Sequence, residues 1–453
     1  MTSGIVMKEA SDGEIIGTKD RDKPIGPGSE RVASIDALRG LTILLMVFVN
    51  DLGRSAPSWL HHIQPPNADG MTVADIVFPW FLFIVGVSIP LAFESAQKRG
   101  TPLWSRLAHI VTRTFGLCLM GVIELNSDND HRLGGTLWSL LAFTTILLTW
   151  MVSPAAPGWR RTLIRSLKVL GGVGLIALLA LFRSEPTHVR SLFLGTVGNW
   201  TWLRTEWWGI LGLIGWAYLT VSILNLLLHR RREWLMGGLA LLMTMHLVMR
   251  QGGLFTCVGH KPWLGPLAEI LTTVASELDR VGRYVSFGDA MGSLAAITMA
   301  GCLLGSILRT DSDVRGHRAR LWWGATFAVG LFIAGFLTDT FEGINKISAT
   351  PTWCLWTAAM ACVVWMILYW LMDVLGLQGW SILIRPAGSN PLVAYFLHPI
   401  VINTLIISGL GSAVLRYHDS PDPKVVVAGS LGMAFFVCLA TGLLGRLGLR
   451  TKL

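Results

Sequence analysis

The chain has 453 residues, of which 52% are apolar and only 14% charged, and its mean hydropathy is +0.55; a soluble domain carries about 25% charged residues. The net charge of +9 comes from basic residues spread over short loops, which argues against a nucleic-acid partner. Six cysteines, mostly inside apolar runs, offer neither a disulfide framework nor metal-ligand spacing. The absence of a Walker loop, a dinucleotide fingerprint, HExxH or GxSxG leaves ATP-driven transport and zinc hydrolysis without support.

Residues 1–30 are polar and mixed in charge, without the apolar core or cleavage site of a signal peptide. They read as a disordered cytoplasmic tail ahead of a first span that acts as an uncleaved anchor. Twelve apolar stretches follow, near 36–52, 72–95, 107–125, 134–152, 164–182, 207–228, 235–250, 290–308, 321–338, 352–373, 390–409 and 425–446. Each approaches the roughly 20 residues that a bilayer core needs. The runs are continuous rather than alternating, which predicts helices and not a barrel. The expected fold is therefore an all-α polytopic transmembrane helical bundle of ten to twelve spans, occupying 31–453. Tryptophans such as Trp59, Trp104, Trp159, Trp207 and Trp380 sit at the ends of apolar runs, where the indole suits the headgroup layer. Lys98, Arg99, Arg160, Arg161, Arg231, Arg309 and Arg315 load alternate loops with positive charge, which puts both termini in the cytoplasm. The segment 267–284 is amphipathic and is expected to lie along the outer interface. No internal repeat of the carrier type is visible.

Polar groups at membrane depth point to function, because they usually face a cavity or one another. Asp36 and Arg39 open the first span and Asn50-Asp51 close it, with Arg39 and Asn50 eleven residues apart, about 16 Å along a helix. After His61-His62, the second span begins Thr72-Val-Ala-Asp75, so Asn50, a histidine and Asp75 can meet at the outer mouth of one hairpin. Blander readings stand beside this one. Asp36 and Arg39 fit a surface i,i+3 pair, Thr72 with Asp75 fits a capping box, and a loop histidine is often only solvated. Further on, Asp339, Glu342, Asn345 and Lys346 have the composition of a solvated loop. Asn390-Pro391 reads as a helix start, and His398 lies about two turns in, as a core histidine or as a site.

The first hairpin and three further stretches carry a resemblance. SIDALRGLTILLMVFVN, His61 and GMTVADIVFPWFLFIVGVSIPLA are followed by VSFGDAMGSLAAITMAGCLLG, GINK and GSNPLVAYFLHP, in that order. Together they are similar to the heparan-alpha-glucosaminide N-acetyltransferase family and its bacterial relatives. The resemblance implies acetyl transfer from cytoplasmic acetyl-CoA to an amino sugar at the outer face, in a multi-pass protein of a bacterial inner membrane, with no metal. It implies that Asn50 and one of His61 and His62 are catalytic. It further implies that Asp75, Lys346, Asn390, Tyr395 and His398 bind substrate, and the positive charge of Arg39, with Asp36 beside it, and of the inner basic loops suits the donor's anionic nucleotide on the cytoplasmic side. Spacing from Asn50 favours His61, and nearness to the TVAD motif favours His62. The expected partners are the lipid bilayer and an amino sugar or glycan, with a homodimer as an open alternative.

Two departures from that family are visible. Its Gly-Val-Leu-Gln-Arg motif is here Gly135-Thr-Leu-Trp138-Ser139, and the stretch about 153–250 adds spans between the motif cores 34–152 and 285–410. Both suggest a divergent branch with a different acceptor. A secondary transporter and a non-catalytic membrane assembly protein remain the alternatives from other classes.

Overall fold

A computed structural model describes residues 32–130, 132–152, 158–185, 196–197, 200–229, 231–251, 273–274, 276–277, 279–282 and 285–451. The tail 1–30 and most of the expected interfacial helix at 267–284 lie outside the described residues. The regular structure among the described residues is helical apart from an antiparallel pairing of Thr196–Val197 with Trp200–Thr201 and two isolated bridges.

The first seven helices are α1 Ala33–Asn50, α2 Val73–Lys98, α3 Leu103–Leu125, α4 Gly135–Thr149, α5 Trp159–Leu181, α6 Gly209–Leu228 and α7 Arg232–Arg250. They are followed by α8 Leu294–Ile307, α9 His317–Glu342, α10 Pro351–Tyr369, the short α11 Arg385–Ser389, α12 Pro391–Ile407 and α13 Pro423–Arg446. Each of the twelve expected spans is met by one of these helices, α11 being the extra element. Among the described residues nine helices are long and apolar enough to cross a membrane, so the chain is an integral multi-pass membrane protein. The helices α4 and α12 are shorter, at 15 and 17 residues.

The helix boundaries follow from local chemistry. Thr72 and Asp75 form both halves of a capping box at the start of α2, satisfying amides that have no partner inside the helix. Proline opens α10, α12 and α13, where its missing N–H costs nothing. Burial then sorts the helices. In the span Asp289–Ile307, 89% of residues are buried, against 22% in α5 and in α9; α8 is therefore central, and the latter two turn most of their surface to lipid. Helix α8 crosses α2 at backbone contact. A Cβ on Gly86 or on Gly301 would lie 1.9 Å from a carbonyl oxygen of the opposite helix. Small residues of this kind let helices approach where no hydrophobic effect drives them together. Helix α1 packs on α2, α10, α11, α12 and α13, so it is held from several sides.

Candidate active site

The site grows from the end of α1 and the start of α2. Asp75 is needed at the N-terminus of α2 for capping, and its Oδ2 accepts the backbone amides of Thr72 (3.0 Å) and Ile63 (3.2 Å). Its other oxygen, Oδ1, lies 2.7 Å from His62 Nδ1. The carboxylate is 1% exposed and the His62 side chain 49%, so a buried anion holds an accessible imidazole by one nitrogen. Capping and histidine positioning are thus two uses of one side chain. His61 differs: its backbone is extended, which sends successive side chains to opposite sides, and its Nε2 is buried without a hydrogen-bond partner.

Lys346 completes this group from a segment 284 residues away, its Nζ 3.1 Å from His62 Nδ1 and 3.4 Å from Nε2, and 3.8 Å from Asp75 Oδ1. Burial pushes the Lys346 ammonium below the ordinary lysine range, and the Asp75 carboxylate works against that shift. Asn345, 7% exposed, positions the lysine. Its Nδ2 donates to the carbonyls of Pro66 (2.9 Å) and Ala68 (3.1 Å), and Asp69 accepts the Ile344 amide at 2.7 Å. At the preceding helix end, Glu342 lies 3.4 Å from the buried His246 and from Arg250. The polar cluster after α9 is therefore a clasp on the histidine loop. His62, Lys346, Asn50 and Tyr395 line one cavity, whose remaining wall is apolar but for Thr42.

A second carboxylate–histidine pair lies beside the first. Asp51, its side chain 1% exposed, is 3.0 Å from His398 Nε2 and 3.3 Å from His418 Nε2, and it accepts from the Tyr417 hydroxyl at 2.6 Å. Burial first, and Asp51 second, raise the Tyr417 phenol well above its ordinary value. With Nε2–H donated to Asp51, the His398 ring lines a second cavity of 270 Å³. That cavity is also lined by Glu124, Ser127, Asp128, Ser139 and Asn403, and it shares Met46, Asn50 and Tyr395 with the first. Tyr395 donates to the Glu124 carboxylate. Sequence reasoning missed Asp51, Glu124, Asn345, Tyr417 and His418 as site residues; the one signal within reach was Asp51's place next to Asn50.

Three expected site residues lie elsewhere. Arg39 donates to Asp36 (3.2 Å), the Gly388 carbonyl (3.2 Å) and Ser88 Oγ (2.9 Å), tying α1 to α2 and α11. Asp36 is its partner there. Asn390 donates to the Leu449 carbonyl and accepts from the Thr451 amide and hydroxyl, and it lines neither cavity.

The family described as a domain of unknown function (DUF5009) matches residues 31–253. The heparan-alpha-glucosaminide N-acetyltransferase of Mus musculus is 39% identical over 119 residues, which is 26% of this chain and 17% of that protein. The Homo sapiens protein of the same name is 38% identical over 117 residues, again 26% and 17%. The chain is a distant relative of these proteins. Its match spans about a sixth of their length.

Proposed function

We propose that the chain is a membrane acyltransferase that moves an acetyl group from acetyl-CoA to an amine on a sugar. The observation that carries this reading is the His62–Asp75 pair beside Asn50 and Lys346 on one cavity wall. The acceptor nitrogen attacks the thioester carbonyl carbon; a C–N bond forms and the C–S bond breaks. His62 Nε2 takes a proton from that nitrogen, displacing the 3.4 Å contact to Lys346, and the departing sulfur ends as the thiol. Asp75 fixes the tautomer and stabilises the imidazolium, the role a carboxylate plays behind a general-base histidine. The Asn50 amide and the Lys346 ammonium face the oxygen on which negative charge develops, where a fixed donor is most effective. In this reading the histidine end is outer, and the donor's phosphates enter from the basic loops at the opposite end. Those loops, rather than Arg39, carry the phosphates, since Arg39 already serves three protein groups. The relationship to the acetyltransferases supports the reaction class.

The test is CoA release from acetyl-CoA with glucosamine as acceptor, using purified wild type, His62→Ala and His61→Ala. Loss of a general base lowers turnover by about 10²–10⁴, and that loss is expected for His62→Ala only. A large loss confined to His61→Ala would reassign the base. Wild type that releases no CoA with any amine would sink the reading.

A further inference from the structure

The mechanism above uses one carboxylate–histidine pair, and the structure holds two. They differ in mounting: His62 sits on a loop, and His398 sits within α12. They agree in design, because each gives one nitrogen to a carboxylate whose side chain is 1% exposed. Their cavities share Met46, Asn50 and Tyr395, so an amine held beside Asn50 has an imidazole on either side.

Proton counting gives the second pair a purpose. An alkyl amine with a pKa near about 8 is largely an ammonium ion at neutral pH. An ammonium nitrogen must lose one proton before it has a lone pair to attack with. It loses another as the tetrahedral adduct collapses to the amide. One of these protons ends on the CoA sulfur and the other is released, so the reaction is RNH3⁺ plus acetyl-CoA giving RNHAc, CoASH and H⁺. A hydroxyl acceptor would shed one proton only.

We infer that His398, held by Asp51, is a second catalytic histidine that takes the first proton from an ammonium acceptor, leaving the second to His62. This assignment rests on the acyltransferase reading. Asp51 would neutralise the imidazolium formed at His398. The other titratable groups around that ring are Tyr417 and His418, which share Asp51 with it, and Glu124 and Asp128 across the cavity. The Asp128 carboxylate on the wall of that cavity favours a cationic acceptor over a neutral one.

The experiment compares wild type with His398→Gln and Asp51→Asn in kcat/KM for glucosamine, from about pH 7 to about pH 9, across the range in which an amine of this kind loses its proton. Acetyl-CoA binding to each purified variant serves as the check on folding, and Asp51→Asn keeps the packing should His398→Gln not fold. Both variants are expected to lose about tenfold at the lower pH, the factor by which the neutral form of such an amine is scarce there. The deficit should shrink to less than about threefold at the higher pH, where the acceptor arrives neutral and only one proton remains to be taken. A deficit that stays constant across the range would make His398 structural, and no deficit would remove it from the reaction; either result overturns the assignment while the acyltransferase reading stands. Wild type that transfers to no amine at any pH would end both.

Discussion

At one end of α1, Arg39 meets Asp36, Ser88 and the Gly388 carbonyl, and its charge is absorbed by protein partners. At the other end, Asn50 is exposed and lines two cavities, while its neighbour Asp51 is buried and holds His398. Both ends carry polar side chains that are costly at membrane depth. What separates them is whether hydrogen-bonding capacity remains after the protein has taken its share. A polar group whose partners are all internal stabilises the bundle; one that keeps a free atom on a cavity wall can act on a ligand.

Three substitutions probe that contrast. Asp75→Asn should have the largest effect, because the amide reverses the hydrogen bond that fixes the His62 tautomer. CoA-release turnover is expected to fall by about 10²–10⁴ with acetyl-CoA affinity unchanged, and turnover within threefold of wild type would show that the carboxylate only caps the helix. Lys346→Met comes next. A charge-assisted contact is worth about 1.5–3 kcal/mol, so a loss of about 10- to 150-fold in kcat is expected, and restoration by Lys346→Arg would show that the positive charge is what matters. Arg39→Ala should change turnover least. Its effect is expected in thermal stability, about 1–3 kcal/mol for three lost contacts at a half-buried site, read as a lower melting temperature. A roughly tenfold loss of acetyl-CoA affinity at an unchanged melting temperature would place Arg39 in the donor site and undo the contrast.

The spans were legible because a bilayer imposes length and hydropathy on each helix separately, and the start of α2 was legible because Thr72 and Asp75 form a local capping motif. Contacts between distant helices leave no such mark. Asp51 and His398 are separated by 347 residues, and nothing in the spacing of either reveals the other. Tyr417 and His418 fall in a short turn with no periodic pattern. Lys346 read by composition as part of a solvated loop, whereas Asn345 turns that loop inward by bonding two carbonyls. The choice between His61 and His62 depended on a backbone angle: the extended conformation at 61 puts the two rings on opposite sides. The replacement of the Gln-Arg pair was visible in the sequence, and its consequence was not, since Ser139 at that position lines the cavity that His398 borders.

The clasp between residues 344–346 and 66–70 also sets an order of events during synthesis. The first hairpin leaves the ribosome long before α9 does; at about 5–20 residues per second, the interval is on the order of tens of seconds. Throughout it, Asp75 and His62 have each other but not Lys346, and the carbonyls of Pro66 and Ala68 await the Asn345 amide. The residues after α9 therefore close a loop that was made much earlier. A truncated chain ending before residue 343 would insert its first helices yet carry a histidine loop held from the α2 side alone.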